Sequence, residues 1–266
     1  MFTKVTTKQY AQVQSLFAPL DYFLTVGSIF AGHTPGDVYV DGETAVTFFS
    51  HRLFLAGGGE ETAVHNNLAQ LLEDVVIPTT QKYGKDAIIV HPTQEWLPHL
   101  PRILERFKPI QAMRLYYRLD ARKHSWQSKL PEGYQLRPVD AELLADTSIT
   151  NLDFVTDEMV SERPSVTDFL NKSFGVAAVY QNEVVGWCMS EYNTGHRCEL
   201  GIETAEAHRR KGLAMGLGTA VIQQALANNI HDIGWTCWEK NHPSRATGKK
   251  LGFACVHELP VWIIVF

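Results

Sequence analysis

The run Arg209-Arg210-Lys211-Gly212-Leu213-Ala214 joins three cationic side chains and a glycine to the start of an apolar helical stretch. That combination suits a phosphate. The first backbone N–H groups of a helix have no acceptor within it, and the helix dipole adds partial positive charge at the same end. Gly212 lets the backbone approach a bound group closely. Arg209, Arg210 and Lys211 supply charge-assisted donors.

The elements that must position this turn can be read on both sides of it. Arg197–Thr204 reads as a strand running into the turn, and Met215–Asn228 as a helix running out of it. Leu213, Leu217, Val221 and Ala225 share one helix face. Upstream, Gly133–Asp140 reads as a strand feeding a helical region that extends to about Lys172, interrupted near Pro164. Strands Val176–Tyr180 and Val184–Tyr192 follow, joined by Gln181-Asn182-Glu183, and Asn193-Thr194-Gly195-His196 makes a second hairpin turn. Downstream come a strand Ile233–Trp238, a helix Ser244–Lys250, and closing strands Phe253–Glu258 and Val261–Phe266.

The polar run 121–132 reads as a linker, giving domains over 1–120 and 133–266. The first half echoes the second. Val38-Tyr39-Val40 with the turn Asp41-Gly42-Glu43 parallels Val179-Tyr180 with Gln181-Asn182-Glu183. A strand Thr47–Ala56, Gly57-Gly58-Gly59, a helix over Glu61–Ile77, a strand Ala87–His91, a segment with Trp96 and Leu100, and a strand Met113–Leu119 complete the echo. The glycine-rich turn there lacks a preceding Arg-x-x-Gly, so the first half is expected to hold no cofactor.

With 266 residues, 45% of them hydrophobic, the chain can bury one large core or two smaller ones. A formal charge of −5 and no basic tail argue against nucleic acid as partner. No apolar run is long enough to span a membrane, and the N-terminus lacks a signal-peptide pattern. Cys188, Cys198, Cys237 and Cys255 show no metal-pair spacing and read as reduced, mostly buried residues, which points to a cytoplasmic chain. The 11 His residues form no ligand pair on one helix, so no metal is expected.

The spacing Arg209-x-x-Gly212-x-Ala214 after a strand resembles the acetyl-CoA signature of the GNAT family of N-acetyltransferases. The family's other landmark follows in order: a strand, Asn241, Ser244, then a short helix closing in Leu251-Gly252-Phe253. A divergent first half and Glu-Leu-Gly-Ile-Glu-Thr before the turn further resemble the zwittermicin-resistance-type branch. The resemblance implies an α+β fold, a mixed, mostly antiparallel sheet flanked by helices, with a degenerate N-terminal copy. It implies acetyl-CoA as cosubstrate and the primary amine of a small molecule as acceptor, attacked directly in a ternary complex. A homodimer is an admissible assembly.

That reaction needs a base. Freeing an alkylamine of pKa about 10.4 at pH 7 costs roughly 4–5 kcal/mol, and a carboxylate is the usual acceptor of the proton. Glu199 and Glu203, four apart on one strand, share a face; Glu199 is favoured, and Glu191 on the neighbouring strand is a third candidate. Gly201 interrupts the strand as a bulge or close approach would. The family pattern places cofactor-arm bonds at the backbone of Ile202 and Thr204, with one amide polarising the thioester carbonyl. Arg209, Arg210, Lys211, Gly212, Leu213 and Ala214 then hold the diphosphate, and Asn241 bonds the arm or caps the helix together with Ser244. Many relatives carry a Tyr where Gly248 stands, so the general acid is unassigned, with Ser244, Cys237, another Tyr or water as alternatives. Trp235 reads as core, Trp238 as an edge of the substrate cleft, and His208 as a solvent-exposed neighbour of the turn. A non-catalytic acyl-CoA sensor, or transfer of a longer acyl or aminoacyl group, are the competing readings.

Overall fold

Gln181 and Asn182 both adopt left-handed φ, 50° and 63°, the geometry of a two-residue hairpin turn whose twist matches the strands it joins. They connect Gly175–Tyr180 to Glu183–Thr194 in the computed structural model, which describes residues 1–59, 62–127 and 130–266, without the side chain of Glu162. Residues 60, 61, 128 and 129 lie outside the described residues, and with them the expected start of the first-half helix and two positions of the expected linker.

The strands are β1 Thr3–Lys4, β2 Asp37–Asp41, β3 Thr44–Phe49, β4 Arg52–Gly57, β5 Ala87–Pro92, β6 Ile110–Asp120, β7 Tyr134–Pro138, β8 Gly175–Tyr180, β9 Glu183–Thr194, β10 Arg197–Thr204, β11 Asp232–Trp238 and β12 Ala254–Val265. Two units divide the chain: Met1–Arg114 with Glu258–Phe266, and Leu115–His257. The polar run after residue 120 begins with a 3-10 turn, Ala121–Lys123, capped by the Asp120 carboxylate. Ala121 is fully buried in the second unit's core, and Trp126 donates its indole N–H to the Leu251 carbonyl at 2.9 Å. Composition alone hides such anchors, because one small apolar residue and one indole N–H suffice to pin an otherwise polar segment.

In the second unit the strand order is β6-β11-β10-β9-β8-β7. β7 to β10 form an antiparallel meander, and β11 lies parallel to β10. Three helices follow β7: α1 Ala141–Ala145, α2 Asp153–Glu162 and α3 Val166–Lys172. Asp140 caps α1 by accepting from Leu143 N–H, and Ser165 caps α3 by accepting from Asp168 N–H. Their apolar residues Leu143, Val155, Met159 and Phe169 pack with Trp187 and Met189 of β9 on one sheet face. The other face carries α4, Leu213–Ala227, whose Leu213, Leu217, Val221 and Ala225 are all buried against Cys198, Leu200, Ile233 and Trp235. A last helix, α5 His242–Lys250, follows β11.

The first unit repeats part of this sequence of elements. β2, β3 and β4 form an antiparallel meander, a helical segment Thr62–Lys82 follows, and β5 runs parallel to β4. The expected single strand Thr47–Ala56 is a hairpin instead, turned at Ser50 with φ 53°. Nearly every residue from Thr44 to Ala56 is buried, and the break falls at the short polar interval Ser50-His51-Arg52 between two apolar runs. At the other end the expected pair of closing strands is one strand, β12, running through Pro260.

Two histidines of this unit are held neutral. Burial, aided by the charges of Arg52, Lys85 and Arg114, pushes His51 down to about 3. His91 lies between Phe23 and Phe54, ring centroids 4.6 and 5.2 Å away, and burial pushes it well below its usual range, with Arg114, Arg52 and His51 adding to the effect. Both are depressed in the folded state, so the unfolded chain binds more protons below pH 6.5 and stability falls as pH drops. His51 alone is expected to cost about 2 kcal/mol at pH 5. Urea midpoints at pH 7.5 and 5 check this: the loss should shrink in His51→Gln, and an unchanged loss would refute the assignment.

Among the described residues no helix is long and apolar enough to cross a membrane.

Candidate functional site

The turn after β10 leaves its amides unspent. Arg210 and Gly212 take left-handed φ, 60° and 87°, the latter as N-cap of α4 with no side chain closing the helix. Arg209 N–H bonds the Glu206 carbonyl at 3.2 Å, and the next bonded amides are Met215 and Gly216, both on the Gly212 carbonyl at 3.1 and 3.3 Å. Among the described residues the five amides between them, Arg210 to Ala214, have no acceptor. Alternating left-handed residues that turn successive N–H groups to one side make an anion-binding concavity, here at a helix N-terminus. Arg209, Arg210 and Lys211 are exposed around it. A Cβ added at Gly212 would meet nothing within 4 Å, so the space above the turn is open. Arg209 also braces the turn, its Nε donating to the Thr204 carbonyl at 3.0 Å.

Beside the turn, two parallel strands part. β10 pairs with β11 only from Arg197 to Glu199, against Asp232 to Gly234, although both strands run on. β10 stays paired with β9 through Thr204. Ala205 N–H bonds Val185 on the β9 side at 2.9 Å. Strand residues alternate the neighbour they bond, so Ile202 and Thr204 direct their backbone groups to the opposite edge, where β11 has diverged. In the first unit the corresponding strands do not part: β4 and β5 pair from Arg52 to Leu55, and Thr93 N–H still bonds the Leu55 carbonyl at 2.9 Å. There Trp96 donates to the Gly57 carbonyl at 2.9 Å and lies where a Cβ on Gly59 would fall.

Glu199 sits at the parting point, 4% exposed. Its Cγ lies 2.9 Å from where a Cβ on Gly234 would stand, so the glycine makes its seat. Glu191, directly opposite on β9 and 9% exposed, occupies the space over Gly201, its Oε1 only 1.9 Å from the position of a Cβ there. Glu203 shares the face but is exposed. Gly201 is therefore the seat of a carboxylate. Gly234 drew no notice in the sequence; a glycine in the middle of an otherwise apolar strand was the available signal.

On α5, Asn241 is the N-cap, its Oδ1 accepting from Ser244 N–H at 3.1 Å. Ser244 Oγ accepts from the buried Trp235 indole at 3.1 Å, and Gly248, one turn later, packs on that indole with room for little more than a methyl group. His208 is half-buried rather than solvent-exposed, its Nδ1 2.8 Å from the Tyr134 hydroxyl and its ring against Tyr180. Burial, with the nearby Glu191 charge, pushes the Cys188 thiol up and keeps it protonated. Among the described residues no group of three or more His, Cys, Asp or Glu could hold a metal ion.

A model of the GNAT acetyltransferase family matches residues 14–262. The uncharacterized N-acetyltransferase YdfB of Bacillus subtilis (strain 168) is 28% identical over 265 residues, 97% of each chain. A GCN5-related N-acetyltransferase-like protein of Streptococcus suis aligns in structure with TM-score 0.67 at 21% identity, over 97% of this chain and 99% of that one. A tandem GNAT protein from the clavulanic acid biosynthesis pathway gives 0.60 at 14%, over 99% and 97%. The solved structures share the fold: a mixed sheet flanked by helices.

Proposed function

This chain belongs to the GNAT acetyltransferase family, an acyl-CoA-dependent family of N-acetyltransferases, and from that premise we propose that it transfers acetyl from acetyl-CoA to the primary amine of a small molecule by direct attack in a ternary complex. The observation that carries this reading is the set of five amides without acceptors at residues 210–214, beside strands that part at Glu199 and Gly234. These amides, with Arg209, Arg210 and Lys211, would hold the diphosphate. The backbone of Ile202 and Thr204, facing the gap, would bond the pantetheine arm, and one of those amides would polarise the thioester carbonyl. When bound, the cosubstrate supplies an acetyl group activated as a thioester.

The protein's own part is to hold the amine and take its proton. Glu199 is the base: it is buried at the parting point, where a carboxylate is poorly solvated and a proton is more readily taken up. Glu203 is exposed and supports the field of the site without abstracting the proton. Asn241 and Ser244 order the start of α5 beside the gap, and Ser244, polarised by the Trp235 indole, is the hydroxyl on the same helix face as Gly248. The matching order of elements supports reading the first unit as a divergent copy of the second. Its paired β4 and β5 and the Trp96 that fills the space over Gly59 fit a copy that holds no cofactor. The zwittermicin-resistance-type branch is the part of the family this arrangement suggests.

Isothermal titration with acetyl-CoA, followed by a thiol-release screen over a panel of amines, tests the reading. Binding in the micromolar range and transfer to an amine are expected. No binding at tens of micromolar, or release of thiol by hydrolysis alone, would overturn it.

A further inference from the structure

We propose that the second unit carries another anion site, at the end of the sheet away from the phosphate turn, which receives a phosphate dianion, free or as a small phosphomonoester. The site is a cavity of about 320 Å³, at the low end of the range for small-ligand pockets. Arg118 and Asp120 at the end of β6, Arg122 in the turn after it, His196 in the β9–β10 hairpin, and His231 and Asp232 at the entry to β11 line it. β10 starts at Arg197, next to the cavity, and ends at Thr204, beside the phosphate turn. About 20–25 Å of strand therefore separates the two sites.

Charge selects the ligand. Asp232 is flanked by two cations: Arg118 donates Nε to its Oδ1 at 3.0 Å and Nη2 to its Oδ2, and Arg197 Nε lies 3.2 Å from the same carboxylate. Asp120 is flanked by two more: Arg122 donates Nε at 2.9 Å and Nη2 at 3.0 Å, and Lys123 Nζ lies at 3.5 Å. Four cations against two carboxylates leave an excess of two positive charges, in a chain whose formal charge is −5. That excess matches a phosphate dianion. The carboxylates do not exhaust the donors. Arg118 and Arg122 each use Nε and Nη2, and Nη1 of each has no acceptor among the described residues. A guanidinium held along one edge by a carboxylate is pre-set to present its other edge to an oxyanion.

Two imidazoles complete the donor set. His196 and His231 stack with ring centroids 4.7 Å apart and planes 12° from parallel. The backbone fixes them: His231 N–H and Asp232 N–H both donate to the His196 carbonyl, at 3.0 and 3.1 Å, and Ala121 N–H donates to the His231 carbonyl at 2.8 Å. Neither ring makes a hydrogen bond among the described residues, so each has an N–H to give. A flat carboxylate is satisfied by one guanidinium fork. Donors from two forks and two imidazoles suit an anion with oxygens on several sides. A metal ion fits less well, since among the described residues no group of three or more His, Cys, Asp or Glu could hold one.

Isothermal titration with inorganic phosphate at constant ionic strength tests the site, in wild type saturated with acetyl-CoA and in Gly212→Asp, whose phosphate turn is blocked. Both proteins are expected to bind phosphate with a Kd of about 1 mM or lower. Arg122 and His196 are exposed, so Arg122→Gln and His196→Ala should fold as wild type does, which thermal unfolding checks, and each should weaken phosphate at least tenfold. Methyl phosphate separates the sources: binding tighter than that of inorganic phosphate marks a phosphomonoester, and weaker binding marks the free ion. Succinate, a dianion built of flat carboxylates, should bind at least tenfold more weakly than phosphate. No heat of binding at about 10 mM phosphate, unchanged affinity in both variants, or succinate binding as tightly as phosphate would overturn the proposal. The Gly212→Asp measurement does not depend on acetyl-CoA, so failure of this site and failure of the transferase reading are told apart.

Discussion

Gly212→Asp is expected to weaken acetyl-CoA binding at least a hundredfold while leaving the protein folded. Gly212 has φ 87°, a conformation that costs a residue with a side chain roughly 1–2 kcal/mol. The added carboxylate would stand in open space, since a Cβ there meets nothing within 4 Å, and that space faces amides expected to hold an anion. Loss of one charge-assisted hydrogen bond is worth about 1.5–3 kcal/mol, and the carboxylate faces several such donors, so the loss of two of them together already exceeds the roughly 2.7 kcal/mol that a hundredfold change requires. Gly212→Ala separates the two: it keeps the strain, lacks the charge, and should fall in between. Arg209→Ala removes the brace to Thr204 and a donor, with about a tenfold loss expected. Titration calorimetry reads the affinities and thermal unfolding checks the fold. Near-wild-type affinity in Gly212→Asp would rule out the turn as the diphosphate site.

Glu199→Gln is expected to lower kcat between a hundred- and ten-thousandfold, the range attributed to a positioned general base, with acetyl-CoA affinity unchanged. The amide keeps the shape that fills the space over Gly234, so packing is preserved while the proton acceptor is lost. Glu203→Gln, at an exposed position on the same strand, should cost far less. The two variants discriminate a base from a general negative field: equal losses would mean that the strand face contributes charge alone. Steady-state kinetics at saturating acetyl-CoA is the measurement.

The legible features were local ones. Arg197–Thr204 reads as a strand to the residue, because its apolar alternation is interrupted only by Gly201 and it ends at a basic, glycine-containing turn. The helix after it was legible because Leu213, Leu217, Val221 and Ala225 repeat on one face, and all four are buried. Where periodicity was uninformative the reading slipped. The run from Thr44 to Ala56 is apolar on both sides of Ser50-His51, so a hairpin looks the same as one long strand. At the other end, Pro260 suggested a break, yet the strand continues through it.

The amino-acid order alone determines that a glycine, three cations and the start of a helix come together at residues 209–214, because that arrangement needs only immediate neighbours. It also determines which strand carries the acids. Which acid is buried, and which faces its partner across the sheet, was decided by tertiary structure. Register between distant strands sets Glu199 against Glu191 and Gly234, and a slip of one residue would turn every side chain to the other face. The early end of β10–β11 pairing is likewise a property of two strands separated by a whole helix, and nothing within either strand encodes it.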